Sequence, residues 1–135
     1  MQKVFVYGTL RAGEINDIGE AAARHDIAEP RLLGTITVRG HLYDFGAYPG
    51  LILDDAGTPV QGEVYEIAAE LIAVLDEIEE IYPGVEGLFV ASEVIVQLDG
   101  AATACRFYPV AKNAVKGLAE IRSGDWVAYR RSRQR

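Results

Sequence analysis

The sequence predicts an α+β protein: a small mixed, mostly antiparallel β-barrel flanked by a few helices. Three observations carry this reading. Segments rich in β-branched and aromatic residues follow one another at short intervals, punctuated by Gly34, Gly40, Gly46, Gly50 and the Gly57-Thr58-Pro59 group. Only one long stretch, Ala68 to Ile81, repeats its apolar residues at helical spacing. Asp99-Gly100 joins two apolar-rich segments in the manner of a tight hairpin. Many short strands with few helices favour a curled sheet or barrel with one main helix packed on it.

The first element spans residues 2–8. Val4, Phe5 and Val6 suit a pleated, buried strand. It stops at Gly8 and runs into the small-residue loop Thr9-Leu10-Arg11-Ala12-Gly13. Gly8 admits a sharp turn and leaves its amides uncovered by a side chain. Amides exposed at a strand end form a cradle for an anionic ligand group. The plainer alternative is a tight turn that merely closes a strand. Residues 18–25 suit a short helix, with Asn16 or Asp17 as its cap. Strand segments follow at 35–38, 41–44, 51–53 and 60–67.

The helix over 68–81 carries an anomaly. At about 100° per residue, Leu71, Leu75, Ile78 and Ile72 gather on one face. Glu70, Glu77 and Glu80 fall opposite. Glu79 falls between Leu75 and Ile72, inside the apolar stripe. A buried carboxylate is costly unless neutral, paired or hydrogen-bonded, so Glu79 is a candidate general acid or base. The alternative is that the helix frays near residue 79, or that Glu79 sits at the stripe's edge and turns to water. Beyond the helix, residues 88–98 and 103–110 pair as strands. Residues 121–129, with Gly124-Asp125-Trp126, form a turn and a final aromatic segment.

With 135 residues, half of them hydrophobic, the chain reads as one domain over 1–135. No apolar run approaches the roughly 20 residues needed to cross a bilayer, and MQKVFVYGTL reads as a strand, not a signal peptide. The single cysteine, Cys105, lies in an apolar run and excludes an intrachain disulfide. These features fit a cytoplasmic protein. The net charge of −7 opposes a broad nucleic-acid face. The exception is the basic stretch 130–135, read as a solvated, mobile tail.

His25 and His41 lack metal-ligand spacing, and no cysteine pair is present. Gly8 to Gly13 has the glycine spacing of a nucleotide-phosphate loop, but Glu14 stands where that motif needs lysine. No Gly-x-Ser-x-Gly elbow occurs. What remains is acid–base chemistry by one carboxylate, with backbone amides holding an anion and with neither metal nor cofactor.

Five segments in order resemble the gamma-glutamylcyclotransferase-like family. They are YGTLRAGEIN near the start, HLYDFGAYPGL at 41–51, VQGEVY at 60–65, LDEIE at 75–79, and Gly124-Asp125-Trp126 with Tyr129. The resemblance implies that family's small barrel, and an enzyme that releases 5-oxoproline from a gamma-glutamyl amide. In that reaction the substrate's own α-amine attacks its γ-carbonyl. The family's catalytic glutamate matches Glu79, and its ligand-holding loop matches Tyr7, Gly8, Thr9 and Leu10. An apolar setting would raise the Glu79 pKa toward the working pH. Tyr7 would supply a wall or a hydroxyl, or serve only as strand core.

The chain departs from the family pattern in three places. Asp17 follows Asn16 where a histidine is common, Phe89-Val90-Ala91 replaces Tyr-x-Arg, and residues 80–88 differ from the usual short turn. The alternative function on the same fold is a non-catalytic module that binds a small carboxylate or amide.

Overall fold

The computed structural model describes residues 2–79 and 89–133. Six strands and three α-helices follow in the order β1 (Gln2–Val6), α1 (Ile18–Arg24), β2 (Arg31–Asp44), β3 (Pro49–Leu53), β4 (Thr58–Ile67), α2 (Ala69–Ile78), β5 (Ser92–Leu98), β6 (Ala101–Phe107) and α3 (Trp126–Arg133). A short 3-10 turn, Lys112–Val115, lies between β6 and α3. The strands form one sheet in the order β3-β2-β4-β1-β6-β5. Four pairings are antiparallel and one, β1 with β6, is parallel. The predicted α+β class and mixed, mostly antiparallel sheet are therefore observed. The sheet curls: Leu33, Ile36 and Val38 of β2 pack on the same buried cluster as Val94 and Val96 of β5. It is a half-barrel closed by side chains.

Alternation along β1 sends its residues to two cores. Phe5 and Tyr7 point inside the curl, with Leu42, Leu51, Val64, Phe107 and Trp126. Val4 and Val6 point outward, to α1 and α2, where Ile18, Ala22, Leu71 and Leu75 cover them. β1 is thus buried on both faces, which explains its unbroken apolar run.

Two segments differ from the sequence reading. Residues 35–38 and 41–44 belong to one long strand, because the first part of β2 pairs with β4 and its end pairs with β3. The C-terminal aromatic segment is a helix. Gly124 has φ +70°, a left-handed conformation that favours glycine, and a Cβ there would collide with the Pro59 carbonyl. The chain then enters α3, whose first turn is capped by Asp125 accepting the Ala128 amide at 3.2 Å. Trp126 is driven into the barrel.

Residues 130–133, read from sequence as part of a mobile tail, continue α3. Arg130 donates twice to the buried Glu14 carboxylate, at 2.8 and 2.6 Å. Arg133 pairs with Asp44 at 3.0 Å. Residues 134–135, the expected end of the 68–81 helix at 80–81, the departure at 80–88 and the expected strand start at 88 lie outside the described residues.

Candidate active site

At the C-terminal end of β1 the chain leaves the sheet and doubles back as a loop over residues 8–17. Its internal hydrogen bonds run from the amides of Arg11, Asn16 and Ile18 to the carbonyls of Gly8, Thr9 and Leu10. Among these loop bonds Gly8, Thr9 and Leu10 act only as acceptors, so their N–H groups are not consumed by the turn. Asn16 also donates to Thr9 Oγ1 at 3.2 Å. Asp17 caps α1 through the Gly19 and Glu20 amides and accepts the Gly13 amide at 2.7 Å.

Side chains beneath the loop hold it in place. Arg11 is buried. Its Nε donates to Glu63 Oε2 at 2.9 Å and its Nη1 to Asp125 Oδ1 at 3.0 Å. Glu63 Oε1 accepts the Ala12 amide at 3.0 Å and the Tyr65 hydroxyl at 2.9 Å. The loop therefore rests on β4 and on the start of α3.

Gly8 is buried, and the reason for glycine differs from the sequence reading. Its φ is not in the left-handed region. A Cβ on Gly8 would lie 2.6 Å from Pro49 Cγ and 2.9 Å from Pro49 Cδ. Glycine is required because the start of β3 packs against the loop backbone.

Tyr7 lies just beyond β1. Its hydroxyl donates to the Tyr108 carbonyl at 2.6 Å and accepts from the Leu51 amide at 3.1 Å. It ties the end of β1 to the middle of β3 and to the end of β6. Burial pushes its pKa far above the ordinary phenol value, and the nearby negative charge of Glu79 pushes it further. Tyr7 is therefore a protonated hydroxyl near the Glu79 carboxylate.

Glu79 sits at the C-cap of α2, its amide donating to the Leu75 carbonyl at 3.0 Å. It is half-buried. The regular helix ends at Ile78, where the fraying alternative placed its end, and Glu79 lines the cavity described below. A clamp fixes this end of α2. Asp76 accepts two bonds from Arg106 Nη2, at 2.8 and 2.9 Å, and one from the Tyr108 hydroxyl at 2.7 Å. Burial and the bond to Asp76 raise the Tyr108 pKa well above the usual phenol range, which keeps that donor protonated.

These pieces meet at one cavity of about 330 Å³. Tyr7, Gly8, Thr9, Leu10 and Glu79 all line it. All five sequence-derived candidates therefore share one hollow. Asn16, Tyr48, Phe89 and Tyr108 line it too, and sequence reasoning did not single these out as site residues. Tyr48 stood in view inside the Tyr-Pro-Gly segment. Tyr108 had no sequence signal, because its place depends on β6 lying beside β1. Phe89 was noted as a departure, and it contributes an apolar wall: its ring lies 5.7 Å from that of Tyr48. Among the described residues no cluster of His, Cys, Asp or Glu could hold a metal ion, and no helix is long and apolar enough to cross a membrane.

The family described as gamma-glutamyl cyclotransferase, AIG2-like, matches residues 4–128. The chain belongs to this family. A gamma-L-glutamyl-butirosin B gamma-glutamyl cyclotransferase from Niallia circulans is 35% identical over 134 residues, covering 96% of this chain and 78% of that protein. The crystal structure of an AIG2-like protein from Mus musculus superposes with a TM-score of 0.73 at 25% identity, over 89% of this chain and 85% of that one. A Pyrococcus horikoshii protein, 21% identical, shares the fold with a TM-score of 0.70 over 98% of this chain and 95% of its own. Membership of the cyclotransferase family and the names of these relatives support a cyclotransferase-type function.

Proposed function

We propose that this gamma-glutamyl cyclotransferase family member converts a gamma-glutamyl amide into 5-oxoproline and a free amine, with Glu79 as general acid and base. The observation that carries the reading is the shared cavity. Glu79 and the loop residues Gly8, Thr9 and Leu10 line one hollow, and among the described loop bonds none uses the amide of Gly8, Thr9 or Leu10 as a donor. The amides hold the substrate's α-carboxylate without adding a formal charge. Glu79, within about 3 Å of the α-ammonium, takes its proton and frees the nitrogen to attack.

The attack is intramolecular. The α-nitrogen forms a bond to the γ-carbonyl carbon, and the bond from that carbon to the amide nitrogen breaks. The attacking nitrogen loses two protons in becoming the lactam N–H. One reaches the departing nitrogen through Glu79, so the amine leaves neutral; the other goes to solvent. Holding the flexible glutamyl chain in its ring-closing conformer is the protein's largest contribution, since orientation alone is worth several kcal/mol, up to roughly 10. The walls of Tyr48, Phe89 and Ile78 serve that purpose by restricting the chain.

Glu79→Gln tests the assignment. Glutamine preserves shape and hydrogen bonding but moves no proton. 5-Oxoproline release across a panel of gamma-glutamyl amides should fall by about 100-fold or more, with the circular-dichroism spectrum unchanged. A variant as active as the parent rules out the Glu79 role.

A further inference from the structure

Glu79 sits at the C-cap of α2, so whatever grips this helix also places the carboxylate. Most of the grip is apolar. Leu71 and Leu75 are fully buried, and Ile72, Val74 and Ile78 pack around them. Apolar contact is non-directional and fixes the rotation of a helix less sharply than hydrogen bonds do. The start of α2 has no polar anchor, since its N-cap, Ala68, makes no side-chain capping bond. Among the described residues Asp76 is the one side chain of α2 that hydrogen-bonds outside the helix. Its partners are Arg106 and Tyr108, which also bond to each other: Arg106 Nε donates to the Tyr108 hydroxyl oxygen at 3.2 Å. Arg106 Cζ lies 5.5 Å from the centre of the Tyr108 ring. The three side chains form a closed triangle. The Asp76 and Arg106 side chains are only 24% and 30% exposed, which limits screening by water.

Asp76 stands three residues before Glu79, about 4.5 Å back along the helix axis and on a neighbouring part of its surface. Tyr108 reaches the opposite wall of the cavity as well. It is buried, it lines the cavity, and its carbonyl accepts the Tyr7 hydroxyl at 2.6 Å. Tyr7 immediately precedes Gly8. One residue therefore holds both walls: its carbonyl holds the strand end that launches the Gly8–Leu10 loop, and its hydroxyl holds the helix turn that leads to Glu79. We infer that Asp76, Arg106 and Tyr108 are positioning residues that set the separation between the Glu79 carboxylate and the Gly8–Leu10 loop. The kinetic consequence rests on the cyclotransferase reading of the cavity; the positioning itself does not. The polar atoms of the triangle are engaged with one another, so the three act through Glu79 and not on the ligand. Proton transfer needs hydrogen-bond contact of about 3 Å. A misplacement of about 1 Å costs up to roughly 100-fold in rate.

Tyr108→Phe removes only the hydroxyl, and Asp76→Ala removes the whole acceptor. Release of 5-oxoproline is measured on a panel of gamma-glutamyl amides, and backbone amide order parameters are measured by NMR on the same proteins without ligand. For the best amide of the panel, kcat should fall about tenfold in Tyr108→Phe and further in Asp76→Ala, while KM moves by less than about threefold. Asp76→Asn keeps an acceptor for the Tyr108 hydroxyl and should fall between the parent and Asp76→Ala. Added to Glu79→Gln, Tyr108→Phe should lower the residual rate by less than about twofold, because the group it positions no longer moves a proton. The order parameter of the Glu79 amide should drop in Tyr108→Phe and Asp76→Ala, while those of Gly8, Thr9 and Leu10 hold. Unchanged order at Glu79, an unchanged kcat in the folded variants, or an equal loss in the Glu79→Gln background overturns the positioning role. A parent that releases no 5-oxoproline from any amide, with order still lost at Glu79 in the variants, defeats the cyclotransferase reading and leaves the positioning role standing.

Discussion

Tyr7 shows how a single residue serves both framework and site. Its ring packs in the barrel interior, its hydroxyl joins the middle of β3 to the chain just after β6, and it lines the cavity. Replacing it with phenylalanine leaves the Tyr108 carbonyl and the Leu51 amide without that partner in a buried place. The expected cost is about 1–3 kcal/mol, read as a lower urea midpoint with an unchanged slope. A midpoint equal to the parent's would mean that water replaces the hydroxyl. The sequence offered three roles for Tyr7 and could not choose, since the choice depends on which distant backbone groups arrive at its hydroxyl. Gly8 is similar. Its importance was legible, but the cause is Pro49, 41 positions away, and not local turn geometry. Glu79 was singled out for a local reason, helical periodicity, and the structure puts it at the C-cap of α2, on the cavity.

Among the elements, the loop over residues 8–17 is the one least readable from its own composition. Nothing in its composition shows that Arg11 and Glu14 are buried and ion-paired. The partners, Glu63 and Arg130, lie 52 and 116 positions further along, so no local pattern announces them. Arg11→Met should destabilise the fold by about 3–5 kcal/mol, because it strands the Glu63 carboxylate in a buried site. Arg11→Met combined with Glu63→Met should recover part of that loss, since the stranded Glu63 carboxylate is gone, while Asp125 still lacks Arg11 and the Ala12 amide and Tyr65 hydroxyl lose their acceptor. Denaturant midpoints of the two variants decide the point, and a double variant less stable than the single one contradicts it. α2 was easier to read. Its apolar stripe gave both its existence and its buried face, while its C-terminal clamp by Arg106 and Tyr108 depended on β6 and stayed hidden.

At the scale of the whole molecule, alternating apolar segments and the Asp99-Gly100 hairpin disclosed the class of sheet, and five ordered segments disclosed the family. Strand order and the parallel β1–β6 pair were not legible, since short strands of similar composition carry no address. The continuity of β2 was missed because its glycines look like breaks, although Gly40 sits inside the strand where β2 passes from β4 to β3.

One tie across the barrel's far side is pH-dependent. His41 lies between Glu120 (3.1 Å) and Asp54 (2.8 Å), with Tyr43 beside its ring. The bonds to Glu120 and then Asp54 raise its pKa above 6.5. Its contribution is therefore complete below pH 6.5 and is lost as pH rises through the higher folded-state value. Asp54, lowered by the Ala56 amide and by His41, keeps its share above pH 3.8 and loses it as pH falls through its lower folded-state value. The melting temperature of the parent should exceed that of His41→Ala at pH 5.5, and the difference should shrink by pH 9. A difference that grows with pH contradicts the assignment.

The central claim is that one glutamyl group bridges the Gly8–Leu10 amides and the Glu79 carboxylate. A crystal structure of Glu79→Gln with a gamma-glutamyl amide tests it most directly. The account predicts the ligand's α-carboxylate on the amides of Gly8, Thr9 and Leu10, its α-nitrogen within hydrogen-bond reach of residue 79, and that nitrogen folded back toward its own γ-carbonyl. A ligand with its α-carboxylate elsewhere, or with its α-nitrogen beyond reach of residue 79, would contradict it.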